Sequence, residues 1–276
     1  MSRKLLPFLL LAATSSAAFA IVIRDDVDDA QYRVPDTEFP ALVDMPGEGH
    51  GVLIAPQWAV TAAHTIPMQG GKPAPLAQVR IGGRDRAVEW VVIHPGQKSP
   101  PQGMIEQALR TGDGILAVMA IASSDDIALI KLKQPVADIA PVPIHTGSGE
   151  IGQTVKIIGK GATGTGVTGL GTGGSHRTEL RRAFNTITSA NERWLCYVFD
   201  PPATALPLEG KTGSGDSGGP ALIEVNGRTE LAGLASWGFI HGDLRVARQG
   251  LYGQLTCNVR ISSYADWING VMKKHR

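Results

Sequence analysis

Six consecutive residues, Gly215-Asp216-Ser217-Gly218-Gly219-Pro220, carry the strongest chemical signal in the chain. Glycines on both sides of a serine permit a tight backbone that exposes its hydroxyl and lets a substrate come close. In such a turn the backbone N–H groups of Gly215 and Ser217 can converge on one point, where the oxyanion of a tetrahedral intermediate would develop. A serine hydroxyl is a weak nucleophile at neutral pH and needs a base beside it. His64, in Thr61-Ala62-Ala63-His64, and Asp126, in Asp126-Ile127-Ala128-Leu129-Ile130-Lys131-Leu132, supply the two residue types required. Each segment alone has an ordinary structural reading. Asp, Ser, Gly and Pro are common turn residues, a histidine after a strand is usually structural, and Asp125 stands beside Asp126 as a second candidate.

Short strands separated by turn residues are what must position these groups. Gly51–Ile54, Trp58–Thr61, Val88–Ile93, Ile127–Leu132, Thr154–Ile158, Leu231–Leu234 and Cys257–Ile261 are rich in apolar and β-branched residues. Helical spacing occurs twice, over Met104–Arg110 and from Ser263 onward, where Tyr264, Trp267, Ile268 and Val271 share a face. The glycine- and threonine-rich stretch 159–174 reads as a mobile surface loop. Prolines and glycines over 135–149 mark a connection between two strand-rich halves.

Together, the three chemical segments resemble the active-site blocks of the chymotrypsin–trypsin family of serine peptidases, in that family's chain order of His, Asp, Ser. Ser236-Trp237-Gly238 resembles its substrate-binding strand, and Tyr264-Ala-Asp-Trp-Ile268 its C-terminal helix. The resemblance runs from about Ile21 to the C-terminus and implies an exported, bacterial-type member. Its implied fold is all-β: two antiparallel six-stranded Greek-key β-barrels with the active site between them, at about 21–140 and 141–262, then a helix over about 263–274. It also implies a secreted endopeptidase in which His64 acts as base and then acid, Asp126 orients the imidazole, and Ser217 forms an acyl-enzyme. Gly215 and Ser217 would form the oxyanion hole, and protein or peptide chains would be the substrates.

Departures from the family pattern accompany the likeness. Thr65 and Gly49 stand where a disulfide beside the histidine is usual, and Gly213 replaces a cysteine before the serine. The two cysteines present, Cys196 and Cys257, fall by the family pattern on neighbouring strands flanking the specificity pocket, where they are expected to pair; two buried free thiols are the other reading. Lys211 occupies the position six residues before the serine, where trypsins carry an aspartate. A lysine at the pocket floor would favour an acidic residue before the cut; it could instead point to solvent, and a one-residue gap would put Thr212 at the floor. Family members are usually activated when a new Ile-Val N-terminus pairs with the aspartate before the nucleophile, here Asp216. Ile21-Val22 would be freed by leader removal alone, although Ile23-Arg24 replaces the usual glycines.

The leader is read from the sequence itself. Arg3 and Lys4 precede an apolar run from Leu5 to Ala13, and Ala18-Phe19-Ala20 suits signal peptidase. The run is too short to span a bilayer. Export places the cysteines in an oxidising compartment. Losing Arg3 and Lys4 takes Lys+Arg from 26 to 24 against 25 acids, so a formal charge of +1 becomes −1. Nothing in that balance suggests a nucleic-acid partner; a monomer free of membrane is expected. No cofactor is expected, and the scattered histidines and two cysteines offer no metal site, although the acids after Gly82 could line a weak calcium loop. His50 and His94 read as surface or satisfied structural histidines. Two rival functions exist. Gly159-Lys-Gly161-Ala-Thr-Gly164 matches a dinucleotide-binding fingerprint, but the glycines that follow oppose the helix it needs. A catalytically inactive homologue acting as a binding protein is the other; such a protein typically loses a triad residue, and all three residue types are present.

Overall fold

The computed structural model describes residues 21–69, 72–171, 179–240 and 242–275, so the leader expected from the sequence lies outside the described residues. The chain enters as β1 (Ile21–Ile23), then β2 (Leu42–Asp44), β3 (His50–Ala55) and β4 (Trp58–Thr61). A small hairpin of β5 (Met68–Gln69) and β6 (Lys72–Pro73) leads to β7 (Gln78–Ile81) and β8 (Arg84–Ile93). Helices α1 (Gln102–Thr111) and α2 (Ile115–Ala122) precede β9 (Ala128–Leu132). The second half holds β10 (Thr154–Gly159), β11 (Thr163–Thr165), β12 (Gly169–Leu170), β13 (Arg181–Ala190), β14 (Trp194–Val198), β15 (Gly210–Lys211), β16 (Pro220–Val225), β17 (Arg228–Phe239) and β18 (Leu255–Arg260). Helix α3 (Ala265–Lys274) follows.

Two closed antiparallel barrels result, ordered β2-β3-β4-β9-β8-β7 and β10-β13-β14-β18-β17-β16. Closure removes the unpaired edges that short strands would otherwise expose. Alternation sets which side chains face inward. In β7 only Val79 and Ile81 are buried, and in β13 Arg181, Ala183, Asn185 and Ile187 turn in while their neighbours are part-exposed. The fully buried Arg181 is answered by two hydrogen bonds to Asp29, at 2.7 and 2.9 Å. One apolar cluster fills the first barrel and continues across the seam to Trp194, Leu222 and Val259. A second fills the C-terminal barrel. The connection over 135–149 touches both units: Val142 N–H donates to Leu53 O, and Ile144 bridges to Leu231.

Three features differ from the sequence expectation. Residues 21–23 do not enter the first barrel. They form a sheet with β11, β12 and β15, because Ile21 and Ile23 bury their side chains in the core of the second barrel. The stretch 159–171 is not simply a loop, since β11 and β12 pair there through Gly164↔Leu170 and Thr165↔Gly169; its end, 172–174, lies outside the described residues. Helix α2 carries no sequence signal, because Ile-Leu-Ala-Val-Met-Ala-Ile-Ala is apolar all round and has no helical period to read. At the C-terminus, Ile268 of α3 is fully buried and Trp267, Val271 and Met272 pack on the first cluster. Among the described residues no helix is long and apolar enough to cross a membrane.

Cys196 and Cys257 face each other in register on β14 and β18 and form a disulfide. The bond links two positions 61 residues apart. Replacing both cysteines by alanine is expected to cost roughly 2–4 kcal/mol, read as a lower urea midpoint with a slope that is, if anything, steeper, because the uncrosslinked unfolded chain exposes more surface.

Candidate active site

Asp126 sits at the head of β9, 6% exposed, and His64 lies on a single helical turn that follows β4. Pairing of β4 with β9, Thr61 opposite Ala128, brings the two together. Asp126 Oδ1 accepts from the His64 backbone N–H at 2.8 Å, and Oδ2 lies 2.7 Å from His64 Nδ1. The hydroxyl of Ser236 on β17 also donates to Oδ2. Burial works to raise the Asp126 pKa, but the hydrogen bond and charge of His64 and the Ser236 bond outweigh it, and the carboxyl is held below its ordinary value. Desolvation likewise pulls His64 down, but the Asp126 bond and charge outweigh it and the imidazole sits above its ordinary value. Facing an ionised carboxylate, Nδ1 carries the proton of the neutral ring, leaving Nε2 as a proton acceptor on the half-exposed side.

The choice between Asp125 and Asp126 is made by distant residues. Asp125 accepts from Arg193 Nε and from the Tyr264 hydroxyl, both at 2.8 Å, and faces His94 at 3.3 Å. It ties the start of β9 to β14 and to the C-terminal helix, and only Asp126 turns to His64.

Ser217 lies in the loop between β15 and β16. Gly215 and Gly218 take φ of 87° and 75°, where any side chain would strain the backbone. Among the described residues the N–H groups of Gly215 and Ser217 donate to no acceptor, which leaves both available to an oxyanion. The Ser217 carbonyl accepts from His50 N–H at 2.7 Å, fixing the loop to β3 of the other barrel. No hydrogen bond joins Ser217 Oγ to His64 among the described residues; such bonds are often long in an empty site and tighten around substrate.

Asp216 beside it is 1% exposed. Its Oδ1 accepts from Gly161 N–H at 2.7 Å and its Oδ2 from Gly213 N–H at 2.8 Å. The Ile21 backbone N–H also bonds it, and His50 Nε2 lies 4.0 Å away. Burial, the largest influence, raises the Asp216 pKa, and His50 and these N–H groups offset only part of it. Ile21 carries a φ of 61°, a rare backbone for a β-branched residue. His50 is fully buried, held by Asp44 at 3.2 Å, and accepts from Lys160 N–H at 3.2 Å. Sequence reasoning missed its place behind the nucleophile loop, and a histidine opening an apolar strand carries no signal for one. The G-x-G-x-x-G stretch starts no helix; it runs into β11.

A cavity of about 280 Å³ opens beside Ser217 and is lined by Lys211, Thr212, Ser236, Trp237 and Gly238 among others. All five expected pocket residues therefore meet in one place. A second cavity of about 410 Å³ extends past His64, walled by Ile93, Ile105 of α1, Ile121 of α2 and Trp237. The helical insertion thus lines the cleft, which the sequence did not reveal. Among the described residues no group of three or more His, Cys, Asp or Glu could hold a metal ion.

Two closed six-stranded barrels with a histidine–aspartate pair and a glycine-bounded serine at their seam have the architecture of a trypsin-like serine peptidase. The Trypsin family model matches residues 30–268, well over half of the chain, and the chain belongs to that family. The chain is similar to complement C1s subcomponent of Rattus norvegicus, 28% identical over 258 residues that cover 82% of this chain and 32% of that protein. Trypsin of Phaedon cochleariae is 27% identical over 236 residues, covering 79% and 76%. Protein masquerade of Drosophila melanogaster is 28% identical over 248 residues, covering 80% and 20%. The chain thus spans about a third of C1s and a fifth of masquerade. All three are animal proteins and lend no support to a bacterial type.

Because the raised His64 pKa depends on Asp126, an NMR titration of His64 should give a midpoint above 6.5 in the parent protein and below 6.5 in Asp126→Asn. The sign for stability follows. A raised histidine pKa stabilises the fold below 6.5 and that contribution is lost as pH rises through the folded value; the lowered Asp126 pKa stabilises above the ordinary aspartate value and is lost as pH falls.

Proposed function

We propose that the chain is an exported serine endopeptidase acting through His64, Asp126 and Ser217. The 2.7 Å contact between His64 Nδ1 and the buried Asp126 carries this reading, because it leaves Nε2 free to take a proton on the side of the cleft. In the proposed reaction Ser217 Oγ attacks the scissile carbonyl carbon while its proton passes to His64 Nε2. The carbonyl oxygen becomes an oxyanion held by the Gly215 and Ser217 N–H groups. His64 returns the proton to the departing amine as the C–N bond breaks, leaving an ester on Ser217. Water, deprotonated by His64, then cleaves that ester.

Activation is part of the proposal. Leader removal after Ala20 would convert the Ile21 amide into an ammonium beside Asp216, since the Ile21 nitrogen already bonds that carboxylate. Without a cation, the raised pKa of Asp216 means that its ionisation costs stability as pH rises. A paired ammonium reverses the sign: stability is then present at neutral pH and lost above about 8 as the amine deprotonates. The disulfide between Cys196 and Cys257 fits the same export route.

A fluorophosphonate probe should label Ser217 in the mature protein and not in Ser217→Ala, whose peptidase activity should fall on the order of 10⁶-fold. Absence of labelling in the parent would favour the inactive binding homologue. A chain that retains one extra residue before Ile21 should lose activity by about 10²- to 10⁴-fold, from a buried charge worth about 3–5 kcal/mol left unpaired. Equal activity of the two chains would overturn the activation proposal.

A further inference from the structure

Lys211 is the one charged residue among the described residues that line the cavity beside Ser217. It is only 6% exposed. Strand β15 carries it, and Val22 of β1 pairs opposite it, so its backbone is fixed rather than free to swing outward. Its side chain reaches across the cavity to β17, where the ammonium stands 3.7 Å from the position a Cβ on Gly238 would take. The Thr212, Ser214, Ser217, Ser236 and Thr256 side chains around the cavity are neutral. No ion pair or hydrogen bond answers the Lys211 ammonium among the described residues, whereas buried Arg181, Asp126 and Asp216 each have several partners.

A buried cation without a partner is costly, and proteins rarely keep one without a use for it. We propose that Lys211 reads the residue before the scissile bond and that the substrates are peptides with a glutamate or aspartate there. A carboxylate entering the cavity gains a charge-assisted hydrogen bond in a desolvated setting. A neutral side chain leaves the ammonium unanswered, and an arginine or lysine adds a second buried cation. Burial lowers the Lys211 pKa to about 8, so the side chain still carries its proton at neutral pH. The inference rests on the peptidase reading of Ser217, but its recognition element is separate from the chemistry.

The test uses the mature protein and peptides that differ only at the residue before the cut: Glu, Asp, Gln, Asn, Leu or Arg. Glu or Asp peptides should be cleaved at least tenfold faster in kcat/KM than their amide counterparts, with Arg among the slowest. Lys211→Met should bring the acid-to-amide ratio to within threefold. Binding of fluorescein-labelled Glu and Gln peptides to Ser217→Ala supplies a measure that needs neither catalysis nor a change at Lys211; the Glu peptide should bind at least tenfold more tightly. Phosphonate labelling with no acid preference in either cleavage or binding overturns this inference and leaves the peptidase reading intact. Acid preference in binding without labelling overturns the peptidase reading, and the cleavage-site role with it, and leaves only carboxylate binding by Lys211 supported.

Discussion

A carboxylate sealed from water must be answered by whatever surrounds it, and the site hangs on the answer given to Asp216. Its partners come from separate parts of the chain: Gly161 after β10, Gly213 in its own loop, and Ile21 at the head of β1. Behind it, His50 is held by Asp44 and Lys160 and also grips the Ser217 carbonyl through its own N–H. The loop that presents Ser217 is thereby pinned to both barrels and to the first described residues. Losing one hydrogen bond to such a buried carboxylate costs about 1.5–3 kcal/mol, a sizeable share of the stability of an ordinary domain. Ser217 is therefore positioned by one buried carboxyl group and its hydrogen-bond partners rather than by packing alone.

The same constraint accounts for two glycines of the second half. A Cβ on Gly159 would lie 2.0 Å from Asp216 Oδ1, and one on Gly161 would lie 2.7 Å from it. These two glycines belong to the stretch whose spacing matches a phosphate-binding fingerprint. Their physical role is to make room for a carboxylate belonging to the protein itself, and the Gly161 N–H that a phosphate would use goes to Asp216. The spacing was legible and its ligand was not, since a local pattern cannot reveal what a residue 55 positions away presses against it.

Local patterns carried seven of the twelve barrel strands (β3, β4, β8, β9, β10, β17 and β18), α1, α3 and the three chemical segments, because each is encoded in consecutive side chains. What stayed hidden depended on remote partners. Asp125 and Asp126 are chemically equal in the sequence, and Arg193 and Tyr264 separate them. Ile21–Ile23 reads as the start of the first unit until its apolar side chains find the core of the second. Helix α2 lacks an amphipathic period, so its conformation comes from tertiary context and its place from the cleft it helps to wall. His50 reads as an ordinary strand histidine, and its burial against Asp216 follows only from barrel docking.

Three buried charges then separate what family membership conveys from what it does not. Asp126 is answered by His64 and Ser236, and Asp216 by backbone donors around the nucleophile loop. The answer to Asp126 uses residues of the segments that resemble the family, whereas Gly161 and Gly213, which answer Asp216, lie outside them. Lys211 stands on a strand paired with β1, in the same cavity as Ser217, with a charge opposite to the one trypsins place there. Family membership fixes the barrels, whereas a cation at position 211 is a local feature of this chain that the fold by itself does not require.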